Sequence, residues 1–453
     1  MRGPQDHIAD IVLELRRLQR LPFGHRDDDD PFMLPRMIAA GDGSIMVSRK
    51  IDESIVAVAD TLMAANQSLA TTHTRAEWRA YVRRSFGDAL LGVELDDDPS
   101  ESAEVIFPRV EATLRQITSG YGPREFAFGC SLFSNKEIQA FQIGPVRFES
   151  KMEWLNRKCA DGSVDTVTHR RVQRAWDGKR LRKRKASFQS AIETDIIESV
   201  GSGDFVCSVS TQGLAAEAAQ ERALVIARLA MTSVALLWEI PSKVLAGLNL
   251  TFDRRMHRQT AMSFTPGKIT LSGSKLSHLP HGPWLGTGEL EKELENHADF
   301  FEVVGEVLSF SIDTTLASSR PRIMSTLEQA LLWFHEGCRE NNKLMGIVKF
   351  SAVLDALACG RKASGIRRLI NARLGLSDGA PIRPDGPTLR ESIDLIYSDG
   401  RSRTVHGTND KLRYDWAGTY GLAEQFARLC LTQCISWVAE HPSANDPLEF
   451  SSS

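Results

Sequence analysis

Arg401 and His406, with Ser402 beside the arginine, are the residues of this 453-residue chain whose types and spacing best suit work on a phosphate ester. An arginine stays charged at any working pH and can grip a phosphate through two parallel N–H donors. A histidine, with an ordinary pKa of about 6.5, can accept or donate a proton near neutrality. Ser402 can hydrogen-bond a phosphate or cap a helix. The stretch reads Tyr397-Ser-Asp-Gly-Arg-Ser-Arg-Thr-Val-His-Gly407. The bland alternative is that Arg401 and His406 merely pair with carboxylates at a helix junction. On an ideal α-helix, residues five apart point about 140° away from each other, so the two side chains do not converge on one continuous helix face. Gly400 reads as a break after which Arg401 starts a helix.

The spacing alone says little, because Arg20 and His25 repeat it. That second pair spans Pro22 and Gly24 and runs into Asp27-Asp28-Asp29-Asp30, which places it in a loop.

Context separates the two. Ile396-Tyr397 precedes the C-terminal pair, a polar Ser402 follows the arginine, Gly407 follows the histidine, and amphipathic helical periods lie on both sides. This wording resembles the motif of the HEPN superfamily, most of all its ApeA-like branch, over roughly the last quarter of the chain. The resemblance implies an all-α bundle that dimerises so that two motifs face each other across a shared cleft. It also implies metal-independent endoribonuclease activity: a 2′-hydroxyl attacks the adjacent phosphorus, leaving a 2′,3′-cyclic phosphate and a 5′-hydroxyl. Arg401, His406 and Ser402 are then the catalytic candidates, without metal or cofactor. Proteins of this branch resemble toxin-like or antiphage effectors, so RNA, a second copy of the chain, and an antitoxin or phage-derived trigger are the expected partners. The other reading is a HEPN-like protein without activity that binds nucleic acid or senses a phage component.

Composition excludes several classes. With 42% hydrophobic and 25% charged residues the chain is of ordinary globular type, long enough for several domains. No uninterrupted apolar run approaches a membrane span and the N-terminus lacks the order of a signal peptide, so a cytoplasmic protein is expected. The seven cysteines are odd in number and scattered, against a disulfide framework, and no CxxC or His/Cys cluster suggests zinc. Gly201-Ser-Gly203 lacks the rest of a phosphate loop, and there is no GxSxG or HExxH. The acidic runs at 27–30 and 96–98 read as solvated loops.

The net charge of −3 conceals an asymmetry. Between His169 and Lys185 lie nine Arg or Lys residues against one Asp, so this segment is about +8 and the remainder about −11. Arg170, Arg171, Arg174, Lys179, Arg180, Arg182, Lys183, Arg184 and Lys185, with Trp176 interleaved, are the nucleic-acid-binding candidates: the cations would track phosphates and the indole would stack on an unpaired base. Asp177-Gly178 reads as a tight turn between two arms. A solvated helix or hairpin is the alternative.

The elements that must position these residues give an α+β chain. Residues 1–120 read as mostly helical, with apolar stripes over 7–19, 51–66, 75–91 and 101–119. Residues 121–288 read as a β-containing middle domain: strict alternation at Phe126, Phe128, Cys130 and Leu132, extended runs at 138–143, 146–148, 204–210, 246–252, 259–264 and 268–272, and a long helix over 214–237. A helical connector follows over 289–320, with one helix at 289–310. A bundle occupies 321–442, and 443–453 reads as a flexible tail.

Overall fold

The structure, a computed structural model, describes residues 2–21, 36–95, 98–201, 203–253, 258–276, 282–411 and 413–452. His25, Asp27 to Asp30, Asp96 and Asp97 lie outside the described residues. The chain is α+β. Its contacts divide it into two units: Met1–Arg124 with Thr211–Arg222 and Ile312–Thr315, and Glu125–Ser210 with Ala223–Ser311 and Leu316–Ser453.

In the first unit α1 (Pro4–Gln19) opens on a proline, whose missing N–H costs nothing at a helix start, and buries Ile8, Ile11, Val12 and Leu15 along one stripe. A hairpin follows, β1 (Arg36–Ala40) and β2 (Gly43–Val47), joined by the two residues Gly41 and Asp42. It adds strands to a stretch whose periodicity predicts only helices. The helices α2 (Arg49–Ala65), α3 (Gln67–Thr72), α4 (Arg75–Ala89) and α5 (Pro99–Thr118) complete the unit. Ser48, Asn66, Thr74 and Asp98 cap them through side-chain oxygens that accept backbone N–H groups. Trp78, Val82, Phe86, Ile106 and Val110 close the core over α1.

The second unit begins with a sheet of β3 (Arg124–Ser131), β4 (Phe141–Ile143), β5 (Val146–Ser150), β6 (Phe205–Thr211) and β7 (Asn249–Leu250), in the spatial order β4-β5-β6-β3-β7. Phe141 pairs with Phe148, their rings stacked at 4.9 Å, and Phe148 pairs in turn with Cys207. Three helices fill the interval between β5 and β6: α6 (Lys151–Ala160), α7 (Thr166–Trp176) and α8 (Phe188–Val200). The long helix expected over 214–237 is α9 (Ala216–Ala235), whose residues up to Arg222 belong to the first unit, followed by α10 (Pro241–Leu245). The hairpin of β8 (Arg258–Thr265) and β9 (Lys268–Leu276) turns at Pro266-Gly267. The single helix expected over 289–310 is two, α11 (Glu289–Asn296) and α12 (Ala298–Ile312), because His297 leaves helical geometry at φ −118°, ψ 30°. α12 meets the β4–β5 turn at Gly305 and Gly144, where a Cβ on Gly144 would lie 2.6 Å from the Gly305 backbone.

The C-terminal part is an all-α bundle of α13 (Pro321–Arg339), α14 (Lys343–Leu357), α15 (Lys362–Leu374), α16 (Leu389–Ile393), a π-helix (Asp394–Ser402), the short α17 (Arg403–Val405) and α18 (Ala417–Glu440). Phe334, Phe350 and Tyr420 form a chain of ring contacts at 5.5 and 5.4 Å that ties α13, α14 and α18 together. Gly375, left-handed at φ 68°, ends α15 as its position after the apolar stripe predicts. Among the described residues no helix is long and apolar enough to cross a membrane.

The tail expected to fray is docked. Pro447–Ser451 forms a 3-10 helix, Phe450 is fully buried beside Trp437, and Arg373 donates to the carbonyls of Glu449, Phe450 and Ser452. One aromatic and one arginine overcome a polar composition. Truncating Phe450 leaves a cavity under the tail, so Phe450→Ala should cost the full chain about 3–5 kcal/mol in chemical denaturation. An unchanged midpoint would mean that the tail is free.

Candidate functional site

Thr388 and Glu391 form a reciprocal capping box that starts α16, and at Asp394 the hydrogen bonding passes from α to π register. The widened helix runs without interruption through Gly400 to Ser402, and the N–H of Arg403 bonds to the carbonyl of Ser398, five residues back. Arg401 therefore sits inside a helix and does not start one. Gly400 is buried, and a Cβ there would stand 2.7 Å from Ile347 Cγ2 on α14. Its role is close approach. π-helical segments are rare and concentrate at functional sites.

Tyr397 and Arg401, four residues apart on this π segment, share a face. The Arg401 guanidinium lies 5.1 Å from the Tyr397 ring centroid, and Nη1 donates to Tyr397 Oη at 3.4 Å. Its Nη2 stands 3.8 Å from Asp355 Oδ2 on α14. The arginine side chain is 30% exposed, so this pair contributes little to stability and leaves donors available to a ligand. Burial, then the nearby Asp355 charge, push the Tyr397 phenol above its usual range, which keeps it a neutral hydrogen-bonding group. The guanidinium faces a cleft of about 750 Å³ between α13 and α14, lined also by Arg322, Thr326, Gln329, Trp333 and Asp355.

His406 ends α17. Its N–H bonds to Ser402 O at 3.0 Å, and Gly407 at φ 69° lets Thr408 N return to Arg403 O at 2.8 Å. The imidazole is exposed, lies outside the cleft lining, and has no hydrogen-bond partner among the described residues. Arg401 lies in the π segment, and only from Ser402 to His406 is the backbone in α register. No contact joins Arg401 to His406 within one chain. Ser402 is helical at φ −66°, ψ −50° and makes no capping bond with its side chain, so it is not a cap but a half-buried hydroxyl beside Arg401. The loop beyond is tied down by Asp399, which accepts from Lys411 Nζ at 2.5 Å and faces Arg403 Nε at 3.5 Å, and by Asn409, which donates to Thr404 Oγ1 at 2.8 Å.

The basic segment divides into structural and free cations. Arg171 and Arg184 both hold Glu193 on α8, at 2.7 and 3.2 Å, and draw its carboxyl below the usual range, Arg171 most strongly. Lys179 pairs with Asp177 at 3.0 Å. Arg170, Arg174, Arg180, Arg182, Lys183 and Lys185 have no side-chain partner among the described residues. The expected two-armed turn is instead the end of α7 at Asp177-Gly178, followed by an irregular strand that Arg171 Nη2 holds through Arg182 O at 3.1 Å. Trp176 is half-buried against the core of Trp154, Leu155 and Ile196, with Lys151 Nζ 5.6 Å from its ring, so packing takes up most of the indole. Phe188, 78% exposed at the start of α8, is the aromatic that stands free beside the cations. Sequence reasoning missed it, although an apolar residue placed just after Ser187, the cap of α8, has no stripe to join.

Two outcomes follow. Gly400→Ala should destabilise the chain by about 1–3 kcal/mol through overpacking, and the cost should largely vanish in an Ile347→Ala background, which removes the opposing methyl; additive melts of the double variant would refute the contact. In filter binding across a salt series, replacing Arg180, Arg182, Lys183 and Lys185 with Gln should flatten the slope by roughly 0.7 log units per decade of salt for each phosphate that is no longer neutralised. An unchanged slope would mean that the segment faces solvent or protein.

Comparison of the chain with family models, with curated proteins and with solved structures yields no match.

Proposed function

We propose that the protein is a HEPN-type, ApeA-like endoribonuclease that acts as a homodimer, with Arg401 and His406 of opposing chains forming each active site. The observation that carries the reading is the different surroundings of the pair: an arginine that lines an open cleft, and an exposed histidine outside that lining with no hydrogen-bond partner among the described residues. Each lacks the other within its chain and each is accessible. Arg401, braced by Tyr397 and Asp355, binds the scissile phosphate and offsets the charge that develops as the 2′-hydroxyl attacks. The facing His406 exchanges the proton, giving it to the leaving 5′-oxygen or taking it from the 2′-oxygen. Ser402 adds a hydroxyl to the phosphate. The six free cations of the basic segment collect RNA, and the setting is a cytoplasmic toxin-like or antiphage effector. No metal or cofactor takes part.

A second reading, an inactive HEPN-like protein that senses nucleic acid or a phage component, draws on those same six cations, which need no catalysis to serve as a binding surface.

Mixed dimers distinguish cis from composite sites. Arg401→Ala and His406→Ala should each abolish cleavage of an oligoribonucleotide, in excess chelator as without it. Co-assembly of the two variants should restore part of the activity, because one of the two shared sites then keeps both residues. Light scattering should give a dimer. Loss in both single variants without recovery in the mixture would place the residues in cis, cleavage retained by His406→Ala would end the HEPN-type assignment of the site, and no cleavage by the wild type would end the ribonuclease reading.

A further inference from the structure

The wall of the cleft opposite Arg401 is one stripe of α13. Arg322, Ser325, Thr326, Gln329 and Trp333 recur at helical spacing of three and four residues and all line it. They extend over twelve residues, from Arg322 to Trp333, about 16 Å of helix, which is longer than one nucleotide. The opposite face of α13 is an ordinary core, with Ile323, Leu327, Leu331 and Phe334 fully buried.

Trp333 departs from that pattern. An indole usually buries most of its surface, yet this one is 38% exposed, on a cleft whose other wall presents Ala352 and Ala356 with the Asp355 carboxylate and the Arg401 guanidinium that faces it at 3.8 Å. The cleft therefore has an aromatic face, two small apolar side chains, and a cation only loosely engaged by a carboxylate. Gln329 lies one turn before Trp333 and has no hydrogen-bond partner among the described residues, so its amide offers both donors and an acceptor. Arg322 is held by Asp446 at 3.2 Å, but its side chain is 63% exposed, and a surface pair of that kind exchanges readily for a phosphate. The volume falls within the roughly 300–1,000 Å³ of small-molecule sites.

We propose that this stripe is an RNA subsite: Trp333 stacks on one unpaired base, Gln329 meets that base's edge, and the nucleotide's phosphates reach Arg401 on one side and Arg322 on the other. The assignment rests on the proposed ribonuclease reading for the role of Arg401, and it adds the part of the substrate that chemistry alone does not need, a base held flat beside the scissile phosphate. Stacking makes the subsite tolerant of base identity, with Gln329 supplying what preference there is.

The test uses the full chain and an uncleavable oligoribonucleotide carrying 2′-O-methyl groups, with binding followed by anisotropy. Trp333→Ala should weaken binding about tenfold or more, Trp333→Phe should retain most of it, and Arg20→Ala, outside the cleft lining, should leave it unchanged. A series of oligonucleotides with a single abasic position needs no variant and guards against a misfolded Trp333→Ala: one position should lose affinity in the wild type and show no further loss in Trp333→Ala. Equal affinity at every abasic position, or an unaltered Kd and KM in Trp333→Ala, overturns the subsite. The two readings fail separately. Stacking-dependent binding in a protein that never cleaves supports the subsite and removes the ribonuclease, whereas His406-dependent cleavage with no effect of Trp333 does the reverse.

Discussion

The arrangement around the motif depends on one close contact, Gly400 against Ile347. With no Cβ at position 400 the helix bearing the motif can lie directly on α14, and any side chain there would meet Ile347 Cγ2 at 2.7 Å. The π register accompanies this approach. It turns Tyr397 and Arg401 onto one face, toward Asp355 and the space between α13 and α14. Glycine in a helix costs about 1 kcal/mol relative to alanine, and π hydrogen bonding is rarely favoured, so both are retained against local preference. What they yield is a fixed guanidinium over an open cleft.

The same contact explains how far the site was legible from sequence. The helices around Arg401 and His406 follow from periodicity, while the spacing of the pair, repeated by Arg20 and His25, singles out neither. Gly400 misleads, because a glycine in an apolar-periodic segment signals a break when its neighbours are unknown. Only the position of Ile347, fifty-three residues earlier, shows that it marks packing. Trp176 misleads in the same way: its cationic surroundings in sequence suggest a stacking platform, while in space it belongs to the core of Trp154 and Ile196. The reverse holds for Trp333, which belongs to an apolar-looking helix and stands at its cleft-facing edge.

At the level of the fold, long periodic elements were legible and short or charge-masked ones were not. Helices α1, α2, α4, α5 and α9 lie where their apolar periods put them, and α13 to α18 fall within the span expected for the bundle. The β1–β2 hairpin was missed although Ala40-Gly-Asp-Gly43 is a two-residue loop signal, because its strands are only five residues each. Helix α6 was missed despite its Ser150 and Glu153 capping box, since the charge of the neighbouring segment drew the reading away from local structure. Phe450 shows the limit of composition: one buried ring fixes a tail that is otherwise polar.

The basic segment also shows why charge counts do not translate directly into a binding surface. Nine cations crowded into seventeen positions would repel one another, and the fold relieves part of that repulsion internally by turning Arg171 and Arg184 onto Glu193 and Lys179 onto Asp177. Arg171 and Arg184 hold the segment in place, whereas the exposed Lys179–Asp177 pair adds little. The six that remain form two groups, Arg170 and Arg174 one turn apart on α7, and Arg180, Arg182, Lys183 and Lys185 along the irregular strand that follows. A polyanion that meets both groups sees a surface already ordered by ion pairs, so it loses less entropy on binding than a flexible basic tail would demand. The ordering is thus supplied by the carboxylate of Glu193, and removing that one charge should loosen the segment without changing a single cation on its face.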